Sequence, residues 1–449
     1  MATTSQISQV LQNYYEKDTQ QTFSDEFWAE SEIAKAKNLR WEGDKVKIHV
    51  HNGRNTGAAA VAENAALPTA GYQGTVQGEI DRKFVYGRIK LTGQAIYSAQ
   101  SEAHAFKAVL DFEMERLVRD VTSMRSFHLY TGQSVPETAG GHTLWGSDEG
   151  CNAVRCKVTA APGANVVCGH PGGIPSTGAS QLVPDIGGTR FLNVDDPIVW
   201  GTALELIGIP SGTPAAPSGS GTVASINRAT QTITVNAGGT TAPAVGDFIV
   251  RGWAGSNEAN KAPIGLGSLL QFRSGQFQGI AYNGEQWAGR TTVNAGTPFA
   301  GTTAPLTLDA LHLMVQQLRE QSGRSVDLMI AHPSISREYV DLLDQQVRYA
   351  PNELTAGYET LSFSSGKPIK WIFDNDCPYG VVFFLNKASL MWAVNRPWMW
   401  EKTDGNVLRQ DLGDLDAFQA RYVSYYNLAF KSLNCNGALY GVDVSGTLF

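Results

Sequence analysis

Lys45-Val-Lys-Ile-His-Val-His51 decides how the first hundred residues are read. Apolar and polar side chains alternate along it with a period of two, the mark of a half-buried strand. Phe84-Val-Tyr-Gly-Arg-Ile-Lys-Leu91 reads as a second strand with a less regular alternation. Residues 44–97 are therefore expected to form one long hairpin. Its connection, Asn52 to Gln77, is about 26 residues long, far above the usual hairpin loop. Connections of that length are usually functional or disordered. Its small apolar residues, Ala58, Ala59, Ala60, Val61, Ala65, Ala66 and Leu67, suit burial against a partner.

Residues 98–130 follow as one long helix. Phe106, Leu110, Met114, Leu117, Val121 and Met124 recur at spacings of three and four, which makes one apolar stripe. Ser98 or Ser101 can cap its start, and Gly132 can end it. A helix of that length can serve as a beam across a flat protein, or as a plain core helix of a large domain.

On the N-terminal side, residues 1–43 are polar with scattered aromatics: Tyr14, Tyr15, Phe23, Phe27, Trp28 and Trp41. They lack a core pattern and read as an arm that packs against something else. On the C-terminal side, residues 133–305 are rich in Gly, Pro, Thr, Ser and Ala. Thr222–Ile226 and Thr230–Val235 flank a turn, and Val245–Val250 is a further strand. Leu192 to Trp253 is expected to be a small all-β module, such as a barrel. Residues 306–449 return to mixed α/β. Thr307 caps a helix that carries Leu308, Leu311, Met314, Val315 and Leu318 on one face and ends near Gly323. A strand at 326–331, a helix at 336–346 and strands at 370–374, 380–385 and 389–394 come next. Phe418 to Phe430 has a period of two, although a helical period also fits.

Composition narrows the function. The chain has 449 residues, with Lys+Arg 35, Asp+Glu 42 and a net charge of −7. Charged residues are 17%, against roughly 25% in an average soluble protein, while hydrophobic residues are an ordinary 42%. An aromatic content of 10% excludes a disordered chain. The acidic balance argues against a nucleic-acid binder held by bulk charge. A chain with so little charge either has a poorly solvated surface or hides much of it against partners. No run of about 18 apolar residues occurs, so no membrane helix is expected. The N-terminus does not read as a secretory signal. Five cysteines are an odd number, so at least one stays unpaired within the chain, as fits a reducing cytoplasm.

Chemistry is mostly missing. There is no phosphate-binding Gly-x-x-x-x-Gly-Lys-Ser/Thr, no Gly-x-Ser-x-Gly elbow and no His-Glu-x-x-His. Cys151, Cys156 and Cys168 with His170 have the donors for zinc, but their spacing argues for free thiols. His49 and His51 share a strand face without an evident third ligand. Asp374 and Asp376 could share a cation, but the Cys377-Pro-Tyr-Gly380 that follows makes a turn the better reading. No metal, cofactor or catalytic residue is therefore expected, and a structural role is favoured over an enzymatic one.

The order of these parts resembles the major capsid proteins of tailed bacteriophages, the coat fold named after phage Hong Kong ninety-seven. The resemblance rests on four segments. The first is Ala62-Glu-Asn-Ala-Ala-Leu-Pro-Thr-Ala-Gly71 with Tyr86 to Ile96, and the second is the 98–130 helix. The third is Leu308 to Leu343 around Asp327-Leu-Met-Ile-Ala-His-Pro333. The fourth runs from Leu361 through Asp376-Cys-Pro-Tyr-Gly380 and Trp398-Met-Trp-Glu401 to Asn436-Gly-Ala-Leu-Tyr-Gly441.

The resemblance implies an α+β capsid fold, divided as follows. An N-terminal arm spans 1–43 and an extended β-hairpin loop 44–97. A peripheral domain at 98–190 contains the spine helix 98–130. An inserted all-β module lies at 191–265 and a connector at 266–305. The axial domain spans 306–388, and the peripheral domain returns over 389–449. Subunit interfaces are expected at Arg54, Val61, Glu63, Asn64, Leu67, Pro68 and Tyr72 of the loop, and at Tyr14, Tyr15, Phe23, Phe27 and Trp28 of the arm. The implied role is self-assembly, as hexamers and pentamers, into an icosahedral virion shell around double-stranded DNA held without sequence-specific contact. Scaffolding, portal and decoration proteins are implied as partners, with assembly in the host cytoplasm and no membrane. Some relatives join subunits by a Lys–Asn isopeptide bond from the loop tip. Arg54 is the only basic residue between Asn52 and Gln77, so no such bond is expected. Two other readings stand beside this one: an encapsulin-like nanocompartment shell around cargo protein, and, more remotely, a hydrolase or carbohydrate-binding protein with β modules.

Overall fold

The computed structural model describes residues 28–33, 41, 45–94, 103–130, 153–161, 163–169, 188–202, 205–206, 217–228, 230–238, 240–253, 256–259, 261–269, 276–278, 280–281, 291–294, 304–344, 360–362, 368–378, 380–402, 406–410 and 416–443. Helices and sheets mix, with strands predominating.

A six-stranded mixed sheet organises the C-terminal half. Its order is Thr291–Asn294, Gly437–Tyr440, Val382–Leu385, Leu328–Ala331, Pro368–Phe373 and Thr360–Ser362. The alternation of strand side chains sends them into two different cores. Leu328, Ile330, Phe383, Leu385 and Ala438 face the central core. Met329, Ala331, Val382, Phe384 and Leu439 face a second core under the helices Leu308–Ser322 and Pro333–Asp344. Because both faces are covered, the three central strands Leu328–Ala331, Val382–Leu385 and Gly437–Tyr440 are buried throughout. The first of these helices starts and stops as its sequence directs. Thr307 accepts a hydrogen bond from the Ala310 amide, and Gly323 closes the end at φ 66°. The C-terminal strand Gly437–Tyr440 thus belongs to the same sheet as 328–331, although it lies within the 389–449 segment.

The second sheet is built on Ala417–Phe430, a single 14-residue strand, which resolves the two periods possible there. Lys83–Thr92 pairs with it along one edge and Leu390–Trp400 along the other. The long helix, Ala103–Tyr130, lies behind this sheet. At 1.5 Å per residue it is about 42 Å long. Gly87 allows the close approach: a Cβ there would sit 3.0 Å from Val121 and 3.1 Å from Leu117. The side chains of Phe106 and Leu110 lie outside the described residues, whereas Val121 is buried. At the helix end, the Tyr130 hydroxyl donates to Asp374 Oδ2 at 2.8 Å, which ties the helix to the turn after strand Pro368–Phe373.

Three expectations change. The hairpin pairs Lys45–Gly53 with Gly74–Asp81, not with Phe84–Leu91. Lys83–Thr92 pairs with Ala417–Phe430 instead, far away in sequence. The physical reason is that Val76, Gly78 and Ile80 lie opposite Val50, Ile48 and Val46 and complete the inward face. A Cβ on Gly78 would meet Ile48 Cγ1 at 2.9 Å, so glycine is needed for that side chain to close over the strand. The two glycines in this strand hide its alternation from a sequence reading.

The all-β module starts earlier than residue 191. Val154–Ala160 and Asn165–Gly169 join Pro197–Gly201, Gly219–Asn227, Thr232–Asn236 and Phe248–Trp253 in one sheet. Phe248–Trp253 pairs with both Val154–Ala160 and Pro197–Gly201, so the sheet closes into a barrel. Closure satisfies strand edges that 191–265 alone would leave open.

The end of the arm docks at home. Ala29 and Ile33, on and just after the helix Trp28–Glu32, are buried in the central core of the same chain. Glu32 accepts from Lys370 at 2.5 Å and also pairs with Lys387. Two lysines and two buried apolar side chains thus fix residues 28–33 on the body of the same chain.

Candidate functional site

The hairpin stem is anchored and its loop is not. Val46, Ile48, Val50 and Ile80 are buried in the central core, while Lys47, His49 and His51 point outward. Lys45 pairs with Glu79 at 2.7 Å across the stem. Gly53 and Gly74 then face each other; a Cβ on Gly53 would lie 3.1 Å from the Gly74 Cα. Beyond this pair the chain runs from 54 to 73 outside any strand. The connection is thus shorter than the expected 52–77, because both its ends belong to the stem.

The loop holds a defined shape with few interactions. Asn55 Oδ1 accepts from the Gly57 amide at 2.7 Å. Gly71 sits against this turn: a Cβ there would be 2.6 Å from both Asn55 Oδ1 and Thr56 Oγ1. The two limbs therefore touch at 55–57 and 71. The tip carries a second turn, in which the Ala65 amide donates to the Ala62 carbonyl at 3.1 Å with Asn64 at φ 60°. Asparagine tolerates that left-handed conformation better than most residues.

Apolar side chains on this loop find no core. Leu67 is 82% exposed, Tyr72 86% and Val61 47%. Arg54, Glu63 and Asn64 are exposed, and Pro68 is half-buried. All seven loop residues expected at an interface thus lie on one projecting element, six of them open to solvent. Of the arm residues, Tyr14, Tyr15, Phe23 and Phe27 lie outside the described residues. Trp28 opens the short helix, and its side chain is not among those described.

The candidate metal positions separate. Cys156 and Cys168 meet inside the barrel with their sulfurs 3.0 Å apart, whereas Cys151 and His170 lie outside the described residues. Asp374 is buried in a turn, where its Oδ1 accepts from the Asp376 amide at 2.9 Å. Among the described residues, no group of three or more His, Cys, Asp or Glu could hold a metal ion. No described helix is long and apolar enough to cross a membrane.

Several positioning residues gave no signal in sequence. Asn427, fully buried, accepts from the Ile264 amide at 2.8 Å and donates to the Asp81 carbonyl at 2.8 Å, which pins the root of the hairpin. Asn436 accepts from the Asn386 amide at 2.9 Å and donates to the Ser432 carbonyl at 2.9 Å, joining the two sheets. Arg155 pairs with Glu258 at 2.9 Å, and its guanidinium lies 4.0 Å from the Phe127 ring centre, at the seat of the barrel on the long helix. Burial, partly offset by Glu258, pushes the neighbouring His128 down to about 4. A lone asparagine or arginine in a long sequence does not announce its partner.

No protein-family model and no curated protein matches this chain. Solved structures do. The capsid asymmetric unit of cyanophage A-1(L) aligns over 98% of this chain and 99% of that one, with a TM-score of 0.53 and 12% identity. The capsid of a native GTA particle aligns over 97% and 96%, with a TM-score of 0.47 and 9% identity. The SrpI encapsulin of Synechococcus elongatus aligns over 34% of this chain and 54% of that one, with a TM-score of 0.24 and 15% identity. The near-complete alignment to the cyanophage chain shows that this protein shares the fold of a phage capsid chain.

Proposed function

We propose that this chain is the structural subunit of an icosahedral phage shell, assembling with copies of itself around double-stranded DNA. One observation carries the reading. A loop of defined shape projects from an anchored stem and exposes Leu67, Tyr72 and Val61. These side chains find no cover on their own chain and are available to a neighbouring copy. On a neighbouring copy it would gain about 25 cal/mol for each Å² buried. Each contact is small, but a subunit in a closed shell makes several at once, and linked contacts reinforce one another.

In this role the protein works by geometry and not by catalysis. The six-stranded sheet with its helices would be the axial domain, and the long helix with its sheet the peripheral domain. Scaffolding, portal and decoration proteins would be its partners. A net charge of −7 suits a wall that encloses DNA without gripping it.

The test replaces residues 54–73 by a two-residue Asn-Gly turn, since Gly53 and Gly74 already pair. The expected product keeps its circular dichroism and its unfolding midpoint but forms no shells in negative-stain electron microscopy. Normal particles from this variant would overturn the role of the loop. The contents of wild-type particles, nuclease-protected DNA against cargo protein, separate a phage shell from a nanocompartment.

A further inference from the structure

We propose that Cys156 and Cys168 are a latent disulfide pair, which a hydroperoxide closes inside the barrel. They lie on neighbouring antiparallel strands, with Val158 opposite Cys168, so Cys156 is two residues along on the same inward face. Both are fully buried, and their sulfurs are 3.0 Å apart. Val158, Val166, Trp200 and Ile249 belong to the same core.

The distance discriminates between the two things a cysteine pair can do. A disulfide has its sulfurs about 2.05 Å apart, so these need to close by about 1 Å. Tetrahedral zinc, with Zn–S about 2.3 Å, keeps two ligand sulfurs about 3.8 Å apart. The pair is thus already tighter than a zinc edge and lies on the disulfide side.

The chemistry balances with the peroxide as the sole oxidant. One thiolate sulfur attacks a peroxide oxygen and the O–O bond breaks. This leaves a sulfenic acid on the protein and a hydroxide that takes up the thiol's proton as water. The second sulfur attacks the sulfenic sulfur, the S–O bond breaks, and a second water departs with the remaining thiol proton. Two thiols lose two hydrogens, and one peroxide becomes two waters. Burial pushes the Cys156 thiol well up, which keeps it neutral and the reaction slow. Burial also favours a small peroxide over a bulky disulfide reagent. The closed bond spans a short stretch of chain and restricts the unfolded barrel, so it should stabilise the module.

The experiment treats the purified full-length chain with hydrogen peroxide and maps its peptides without reduction. The expected result is a Cys156–Cys168 cross-link two hydrogens lighter than the thiols. A higher unfolding midpoint should accompany it and fall back on adding a thiol reductant. Cys168→Ala should show neither the link nor the rise. If that variant does not fold, the wild-type map still decides. The proposal fails if Cys156 and Cys168 remain free, or carry higher oxides, once exposed Met399 has become its sulfoxide. It fails equally if the link forms and the midpoint does not rise. Neither readout depends on assembly.

Discussion

The extended loop and the barrel are both poor in charge, and they use that composition in opposite ways. Residues 54–73 contain Arg54 and Glu63 as their only charges, and residues 206–245 only Arg228. In the barrel the apolar residues face inward around Trp200, which is fully buried and donates its Nε1–H to the Thr241 carbonyl at 3.0 Å. Outside, uncharged side chains satisfy each other: Ser225 donates to Thr234, which donates to Asn165. The loop has the same sparse charge and no inward side, so Leu67 and Tyr72 stay in solvent. Low charge therefore marks a self-sufficient module in one place and an unfinished surface in the other. The distinction is topological, because a closed barrel has an interior and a projecting loop has none.

The sharpest way to break this contrast is at Trp200. Trp200→Ala should cost about 3–5 kcal/mol of barrel stability, as large aromatic truncations do in a packed core. It would be read as a lowered denaturation midpoint by circular dichroism. A loss below about 1 kcal/mol would mean that the barrel depends on outside support. Gly78→Ala comes next and probes the stem that carries the loop. Its new Cβ would lie 2.9 Å from Ile48 Cγ1, and overpacking of this kind costs about 1–3 kcal/mol. An unchanged midpoint would show that the stem is looser than its packing implies.

Much of this contrast was legible in sequence, and the rest was not for identifiable reasons. The helix capped by Thr307 and closed by Gly323 follows local rules, and local rules read well. The long helix carries a clear stripe, whereas the segment at 417–430 fits two periods and only its pairing with Lys83–Thr92 and Leu390–Trp400 settles it as a strand. The loop stands out by its length, and its apolar residues by their type. The returning strand, Gly74–Asp81, is hard to see in the sequence because Gly78 takes the place of an inward side chain and leaves no hydrophobic mark. The place of the strands at 154–169 in the barrel is not written locally, because closure is a long-range event between Val154–Ala160 and Phe248–Trp253. The docking of Glu32 on Lys370 and Lys387 joins residues more than 330 positions apart, beyond any pattern read along the chain.

That docking gives a smaller, pH-dependent test of what holds residues 28–33 on the rest of the chain. The hydrogen bond from Lys370, then that from Lys387, holds the Glu32 carboxyl below its ordinary value of 4.5. A lowered carboxyl pKa means stabilisation that is complete above 4.5 and is lost as pH falls below it through the folded value. Glu32→Gln should remove this contribution, at most about 1 kcal/mol for partly exposed partners. Unfolding midpoints of the two proteins should differ at neutral pH and converge in acid. A difference that does not change with pH would mean that the carboxylate charge is not what holds residues 28–33.

The smallest effect on the single chain is the most informative. Leu67→Ser with Tyr72→Ser should shift unfolding of the isolated subunit by no more than about 0.5 kcal/mol, because side chains exposed to 82% and 86% lose almost nothing on folding. The same variant should assemble poorly, read as a fall in particle yield on sedimentation, because these are the apolar groups that a neighbour would cover. The opposite pairing of outcomes is equally clear. A destabilised monomer would mean that the loop packs on its own chain after all. A stable monomer with normal particle yield would mean that its apolar residues are not the contact. Serine at Val223 or Ile233 of the barrel should give the reverse result, an unstable chain, since those positions have already found their cover.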